Sequence, residues 1–158
     1  MAINFGLDFR NEAIESSNLG NHQRQINGAF LDLKYPLGKL LINPGINITS
    51  ISGFKAQPFP GIDLSYAINP KNTLFANWGT AFRVPTYTDL YYVGFENIGN
   101  ENLNPETATN YEIGYKYIAK KLTASASVFT RNANDAIEWV RANDSLKWQP
   151  RNFTKVYT

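Results

Sequence analysis

Apolar and polar residues alternate along most of this chain with a period of two. In residues 3–10 every odd position is apolar and every even position is polar or Gly. Strict alternation places the apolar set on one face of a β-strand, whereas a helix would spread the same residues around all sides. The pattern therefore predicts strands, and similar segments follow at residues 28–35, 40–49, 62–68, 74–82, 110–117 and 122–128, with a last, shorter one near 152–158.

The connections between these segments alternate in length. Tight turns are predicted at residues 35–39, 69–72 and 119–121, and a medium connection at 50–57. Long connections are predicted at residues 11–23, 83–107 and 132–151, the last with an extended stretch at 137–141. Short turns at one end and long loops at the other predict an all-β, antiparallel up-and-down meander of about eight strands, an arrangement typical of transmembrane β-barrels. In that arrangement the first strand runs outward.

The apolar face could meet either the core of a soluble sandwich or lipid. Segment lengths close to the 9–11 residues of a tilted spanning strand favour lipid, as does a polar face rich in Gly, Asn and Ser. A Lys facing lipid at the midplane costs about 2–4 kcal/mol. The charged residues of these segments are therefore predicted to face a barrel interior: Asp32, Lys34, Asp63, Glu112 and Lys116.

Composition narrows the function classes. The 15 basic and 13 acidic residues are scattered and give a net charge of +2, so no nucleic-acid partner is expected. The absence of cysteine excludes disulfides and thiolate metal sites. No apolar run reaches the roughly 18 residues of a spanning helix. The N-terminus lacks the features of a signal peptide, and we expect that Met1 is not the natural start.

Three motifs resemble one known family. Residues 79–92 read GTAFRVPTYTDLYY, residues 99–107 read GNENLNPET and residues 111–114 read YEIG. In order and spacing they resemble the barrel of TonB-dependent outer-membrane receptors. There a strand ends in Phe-Arg-x-Pro, a loop carries Asp-Leu-Tyr, and Gly-Asn-x-x-Leu-x-Pro-Glu leads to a strand bearing Glu-x-Gly. The resemblance covers nearly the whole chain, and the long loop, rich in Tyr and Asn, resembles the vitamin B12 receptor branch.

This resemblance implies a barrel of about 22 strands closed by an N-terminal plug, in the outer membrane of a Gram-negative bacterium. It implies energy-coupled import of a bulky nutrient such as a siderophore, haem or cobalamin. About eight strands cannot enclose a plugged lumen, so residues 1–158 are expected to be an internal part of the barrel, without plug or signal peptide. The implied partners are outer-membrane lipid, the rest of the barrel, the plug, the nutrient and, only through the plug, the TonB protein.

Candidate site residues at the strand ends each have two interpretations. Arg83 is either a lumen contact for plug or substrate, or part of a strand exit. In the second interpretation Pro85, lacking an N–H, ends the pairing and Arg83 caps nearby carbonyls. Glu106 is expected to accept backbone N–H groups where the chain re-enters the sheet. Glu112 and Lys116 share one strand face and are expected to pair with lumen charges or with the plug.

The aromatic residues of the longest loop also have two interpretations. They could stack on a planar ligand, or they could pack the loop onto the barrel rim. These residues are Tyr87, Tyr91, Tyr92 and Phe95.

Two further function classes stay open: a small outer-membrane β-barrel enzyme, and a complete small barrel with a structural role. An enzyme needs a converging set of acid, base or nucleophile side chains. The single histidine, His22, lies in a predicted loop and is expected to be solvated, since one histidine makes a weak metal site. We therefore predict no catalytic residue, no metal site, no cofactor and no enzymatic activity.

Overall fold

The chain forms a strand meander in the computed structural model, which describes residues 1–154, 156 and 157. Lys155 and Thr158, part of the last predicted segment, lie outside the described residues. The elements are β1 (Ala2–Ser16), β2 (Gly20–Leu37), β3 (Leu40–Ile51), β4 (Gln57–Asn69), β5 (Asn72–Arg83), α1 (Tyr87–Tyr91), β6 (Glu106–Ala119), β7 (Leu122–Asn134), β8 (Ala136–Val140), β9 (Gln149–Phe153) and β10 (Val156–Tyr157).

Eight strands form one sheet in the order β1-β2-β3-β4-β5-β6-β7-β10, and β8 and β9 form a separate hairpin. Consecutive strands of the sheet from β1 to β7 pair antiparallel. The predicted up-and-down meander of about eight strands is therefore confirmed. The predicted extended stretch at residues 137–141 is also confirmed by β8, which pairs with β9.

The predicted long loop at residues 11–23 is wrong. Strands β1 and β2 continue through it, with unbroken pairing from Ala2–Lys34 to Ser16–Gly20, and only residues 17–19 make the turn. The alternation weakens there because the outward positions, which continue the row of Phe5, Leu7 and Phe9, become mostly polar: Asn11, Glu15, Asn21, Gln23 and Gln25. The hydrogen-bond ladder does not need apolar alternation to continue.

Register separates the two faces of the sheet. Residues that are directly opposite in paired strands lie on the same face, and one such row is entirely apolar: Tyr35, Ile42, Leu64, Ala76, Ile113 and Val128. A second row, on the opposite face, is polar from β3 to β6 and ends at Phe129 in β7: Asn43, Asp63, Asn77, Glu112 and Phe129. The charged residues that are expected to face the barrel interior all lie on this second, polar face: Asp32, Lys34, Asp63, Glu112 and Lys116.

The apolar face remains uncovered. Phe5 is 80% exposed, Ile113 64% and Val128 74%. Within the described part of the chain, no second sheet packs against these residues, so they do not form the core of a sandwich. Among the helices described, none has the length and apolar character needed to cross a membrane.

The buried residues instead gather at the end of the sheet that carries the long connections. Leu90, Leu103 and Ile137 form a small cluster there, with Tyr91 packed against it. Residues 84–105, called the strap below, fold over this end. The β8–β9 hairpin leaves the sheet at Asp135, whose positive φ of 55° makes a sharp bend that Asp tolerates better than most residues.

Candidate functional site

The strap crosses the polar face of the sheet. It leaves the end of β5 and contacts β2 and β1, which are three and four strands away. Arg24 Nη1 donates to the carbonyl oxygen of Pro85 at 3.0 Å, and the Tyr87 hydroxyl donates to the carbonyl oxygen of Glu12 at 3.1 Å. Arg24 and Glu12 are paired and lie on the same face as Asp32, because the β1–β2 register has no shift. The strap therefore folds towards the predicted barrel interior.

A capping box sets the direction of helix α1. Thr86 is the N-cap, and its hydroxyl accepts the backbone N–H of Asp89 at 3.1 Å. The Asp89 carboxylate accepts the backbone N–H and the hydroxyl of Thr86 at 2.9 and 2.8 Å. Such caps contribute about 1 kcal/mol to a helix. The Thr-x-x-Asp spacing thus explains locally why a one-turn helix forms in the strap.

Arg83 joins this helix to two strand ends. Its guanidinium binds the Glu106 carboxylate in bidentate fashion, with Nε–Oε2 at 2.9 Å and Nη2–Oε1 at 2.7 Å. Its Nη1 lies 3.4 Å from Asp89 Oδ2. Bidentate charge-assisted pairs fix orientation as well as adding energy. The β5–β6 pairing ends at Arg83, two residues before the fully buried Pro85. The side chain of Arg83 binds carboxylates there, and not the backbone carbonyls that the strand-exit interpretation gave it.

The same network reaches the hairpin. The Trp139 indole N–H donates to Asp89 Oδ1 at 3.1 Å, and the backbone N–H of Ile137 donates to Glu106 Oε1 at 2.6 Å. The expectation that Glu106 accepts a backbone N–H is confirmed. The sequence pattern does not identify Asp89 and Trp139 as site residues, although Asp89 lies in residues 79–92, one of the motifs that carry the family resemblance.

Asp89 is a buried carboxylate that stays charged. Burial raises its pKa, but hydrogen bonds from the backbone and side chain of Thr86, the Trp139 indole and the charge of Arg83 outweigh that effect. The pKa of Asp89 is therefore below the ordinary aspartate value. At neutral pH the network holds one positive and two negative side chains.

Two of the four candidate aromatic residues pack onto β2. Tyr91 stacks on His22 with ring centroids 3.5 Å apart and planes at 5°, and the Arg24 guanidinium lies 4.8 Å from the Tyr87 ring centre. Burial raises the pKa of Tyr87, which keeps its hydroxyl a donor. By contrast Phe95 is 94% exposed.

The expectation for His22 is wrong. It lies in β2, half-buried, and its Nε2 donates to the carbonyl oxygen of Leu19 at 2.8 Å. Sequence alternation could not find this position, because the ring partner comes from the strap. Among residues 1–154, 156 and 157, no three His, Asp or Glu side chains form a metal-binding group.

Open clefts flank Tyr91 on both sides. One, of about 380 Å³, lies between the strap and the β3–β4 turn and is lined by Arg24, Phe54, Tyr87 and Tyr91. The other, of about 470 Å³, is lined by His22, Tyr91 and Tyr92. Both volumes fall within the range of small-molecule sites. The arrangement offers aromatic faces and hydrogen-bonding groups at the mouth of the predicted barrel.

The inner wall below the strap is polar. A cavity of about 600 Å³ has Gly45, Gly61 and Gly79 along its floor, and Asn43 Oδ1 is buried beside it without a hydrogen-bond partner in the described residues. Glu112 accepts a hydrogen bond from Asn77 Nδ2 at 3.2 Å. Lys116 is on the same face, and no ion pair joins it to another described residue.

Residues 2–158 match the family model described as TonB dependent receptor-like, beta-barrel. The chain is 23% identical over 152 residues to the vitamin B12 transporter BtuB of Vibrio vulnificus, covering 93% of this chain and 24% of that protein. It is 34% identical over 91 residues to BtuB of Photobacterium profundum, covering 56% of this chain and 14% of that protein. The chain therefore spans about a quarter, or less, of the length of these relatives.

Solved structures share the fold. The siderophore receptor PirA from Pseudomonas aeruginosa superposes with a TM-score of 0.85 at 20% identity, over 97% of this chain and 30% of that one. The FrpB iron transporter from Neisseria meningitidis gives a TM-score of 0.74 at 15% identity, over 98% of this chain and 29% of that one. In both cases the strand meander corresponds to part of a longer chain.

Proposed function

Because the chain belongs to the TonB-dependent receptor β-barrel family, we propose that residues 1–158 are part of the wall and outer rim of a receptor that imports a bulky metal chelate. The nutrient is a siderophore or haem complex of iron, or cobalamin, and the membrane is the outer membrane of a Gram-negative bacterium. The family match over residues 2–158 carries this proposal. The relatives are named as transporters and receptors, and we propose no catalytic role.

The two faces of the sheet support a place in the barrel wall. The apolar face, with Leu64 and Ile113, would meet outer-membrane lipid, while the polar face would line the lumen. Glu112 and Lys116 on that polar face would meet the plug of the parent receptor. TonB would act through the plug and not through these residues.

The strap supports a place for the nutrient. Tyr87 and Tyr91 line a cleft on the inner face, and Tyr92 lines the second cleft beside Tyr91. Phe95, which is 94% exposed, lines neither cleft. Flat aromatic rings offer stacking surfaces to a planar ligand. Arg83, which is held by Glu106 and Asp89, would position this strap rather than touch the nutrient.

Uptake by the full-length parent receptor tests the proposal. A strain that lacks its own receptors would express it, and growth would be limited in turn by cyanocobalamin, a ferric siderophore or haem. We expect receptor-dependent growth on one of these nutrients. Replacing Tyr91 by Ala should weaken binding of that nutrient about fivefold, because one aromatic contact is worth about 1 kcal/mol. Growth on none of the three, with the receptor present in the outer membrane, would overturn the proposal.

A further inference from the structure

A continuous seam of hydrogen bonds joins the strap to the β8–β9 hairpin and its connecting loop. The backbone N–H of Ile98 donates to the carbonyl oxygen of Trp148 at 2.9 Å, and the N–H of Trp148 donates to the carbonyl oxygen of Glu96 at 2.8 Å. Lys147 Nζ donates to the carbonyl oxygen of Gly94 at 2.8 Å. These bonds pair the outer turn of the strap with the chain that leads into β9.

The seam continues towards the sheet through asparagine side chains. Asn100 Nδ2 donates to the carbonyl oxygen of Pro150 at 3.1 Å. Asn152 accepts the backbone N–H of Asn104 at 2.8 Å and donates to its carbonyl oxygen at 2.9 Å, as a neighbouring strand would. The amide of Asn152 also donates to the carbonyl oxygen of Asp135 at 2.7 Å. Hydrogen bonds thus join the strap to the hairpin and its connecting loop at several points, from Gly94–Lys147 to Asn104–Asn152.

Buried side chains close the seam from inside. Leu90 and Leu103 of the strap pack with Ile137 of the hairpin, and these three are 8%, 4% and 7% exposed. Asp89 of the strap holds the Trp139 indole of the hairpin. Separating strap from hairpin would expose this core and leave a buried carboxylate without one of its donors, and both changes are unfavourable.

The contact of the strap with β1 and β2 is much slighter. It comprises the hydrogen bonds of Arg24 and Tyr87, the cation–π contact between these two residues, the stacking of His22 on Tyr91 and more loosely on Tyr87, and one backbone bond. That bond runs from Val93 N–H to the carbonyl oxygen of Asn18 at 2.9 Å. These contacts are called the latch below. Val93 is 61% exposed and Asn18 is in the exposed β1–β2 turn, so water can replace the backbone bond at little cost.

We infer that the strap and the hairpin move as one body, and that the outer mouth opens by release of the latch on β1 and β2. Local opening follows the weakest set of contacts, and here that set is the latch rather than the seam. Release of the latch separates Tyr91 from His22 and joins the two clefts beside Tyr91 into one opening. This motion does not depend on which nutrient the receptor binds.

Pairs of spin labels distinguish the two boundaries. Residues 1–158 contain no cysteine, so within this segment labels attach only at introduced sites. One pair replaces Asn18 and Val93 across the latch. The matched pair replaces Asn97 and Trp148, which form a backbone bridge across the seam. In the parent receptor in lipid, close labels broaden each other's spectrum, and separated labels do not.

We expect the seam pair to be fully broadened and the latch pair to show a second, unbroadened population. His22→Ala, which removes the ring stack, should raise the ratio of open to closed latch about tenfold. Arg24→Gln, which removes the bond to Pro85, should act in the same direction. Phe95→Ala, which removes an aromatic ring that is 94% exposed, should leave both pairs unchanged.

Two results would overturn the inference. In one, the seam pair loses broadening in the same fraction as the latch pair, so that the loops separate from each other. In the other, the latch pair stays fully broadened in the parent receptor and in both latch variants, so that the latch does not release. Neither result depends on nutrient uptake. The inference can therefore fail while the proposed function stands, and the proposed function can fail while the inference stands.

Discussion

At the residue scale, Asp89 makes many hydrogen bonds in the rim, the part of the molecule formed by the strap and the β8–β9 hairpin. It accepts hydrogen bonds from Thr86 and Trp139 and pairs with Arg83. A buried carboxylate is stable only when its oxygens are satisfied. Asp89 therefore fixes the strap to the end of β5 and to the hairpin at one point.

Asp89→Asn should loosen this point. The amide keeps the shape of the side chain but loses the charge and turns one acceptor into a donor facing Arg83 or Trp139. We expect the strap to lose about 1–3 kcal/mol of local stability, seen as faster amide exchange around residues 86–91 of the receptor. The matched control is Asp144→Asn, because that side chain is 97% exposed and, among the described residues, forms an ion pair with Arg141 alone. Equal effects of the two substitutions would contradict the role of Asp89.

The strap should loosen in acid, at pH values below the ordinary pKa of aspartate. The pKa of Asp89 is lowered in the folded state from its ordinary value of 3.8. Its ionisation therefore stabilises the fold above pH 3.8, and this contribution is lost as pH falls further, through the folded pKa. The NMR signal of the Trp139 indole N–H should hold its position from pH 7 to about pH 4 and shift below that. The part of this shift that is absent in the Asp89→Asn variant reports the titration of Asp89. If the Trp139 signal titrates identically in the unchanged receptor and in the variant, the prediction is contradicted.

At the element scale, the strands present one apolar and one polar face, and neighbouring positions test which face meets lipid. Leu64 lies in the apolar row and Asp63 in the polar row. An Arg facing lipid near the midplane costs about 2–4 kcal/mol, whereas one facing the lumen is tolerated.

Leu64→Arg should therefore reduce the folded fraction of the receptor in lipid vesicles far more than Asp63→Arg. The folded fraction is read from the shift in gel mobility between unheated and boiled samples. The two substitutions introduce the same side chain at adjacent positions of β4, so strand propensity is matched. Greater damage from Asp63→Arg would reverse the assignment of the faces.

The alternation predicted the central part of each long strand because register and face are local properties of a strand. It could not predict that β1 and β2 extend through residues 11–23, since most outward positions there are polar and the inward positions include apolar residues such as Ile14 and Ile26. The sequence motifs pointed to Arg83 and Glu106, but they could not predict the ion pair between these two side chains. The partners of Arg83 come from separate segments, and only the folded sheet brings Asp89, Glu106 and Trp139 to one place.

At the scale of the whole molecule, this sheet has two open edges and one uncovered apolar face. Strand β1 ends the sheet on one side, and on the other side β10 covers only residues 132 and 133 of β7 among the described residues. Phe5, Leu7 and Phe9 on the edge strand are 80%, 70% and 73% exposed. In a receptor barrel, neighbouring strands and lipid would cover both features.

The isolated chain should therefore need lipid or detergent to stay in solution as a folded monomer. Exposed, unpaired edge strands with apolar faces pair with other copies in water. In plain buffer we expect aggregation in sedimentation experiments, and in lipid vesicles a β-type far-ultraviolet circular dichroism spectrum together with a gel shift on boiling. The rim does not change this expectation, because its small core of Leu90, Leu103 and Ile137 covers neither edge nor the apolar face. A monomeric chain with a β spectrum in plain buffer would mean that the apolar rows find cover within the chain itself, and the lipid-facing assignment would fall with it.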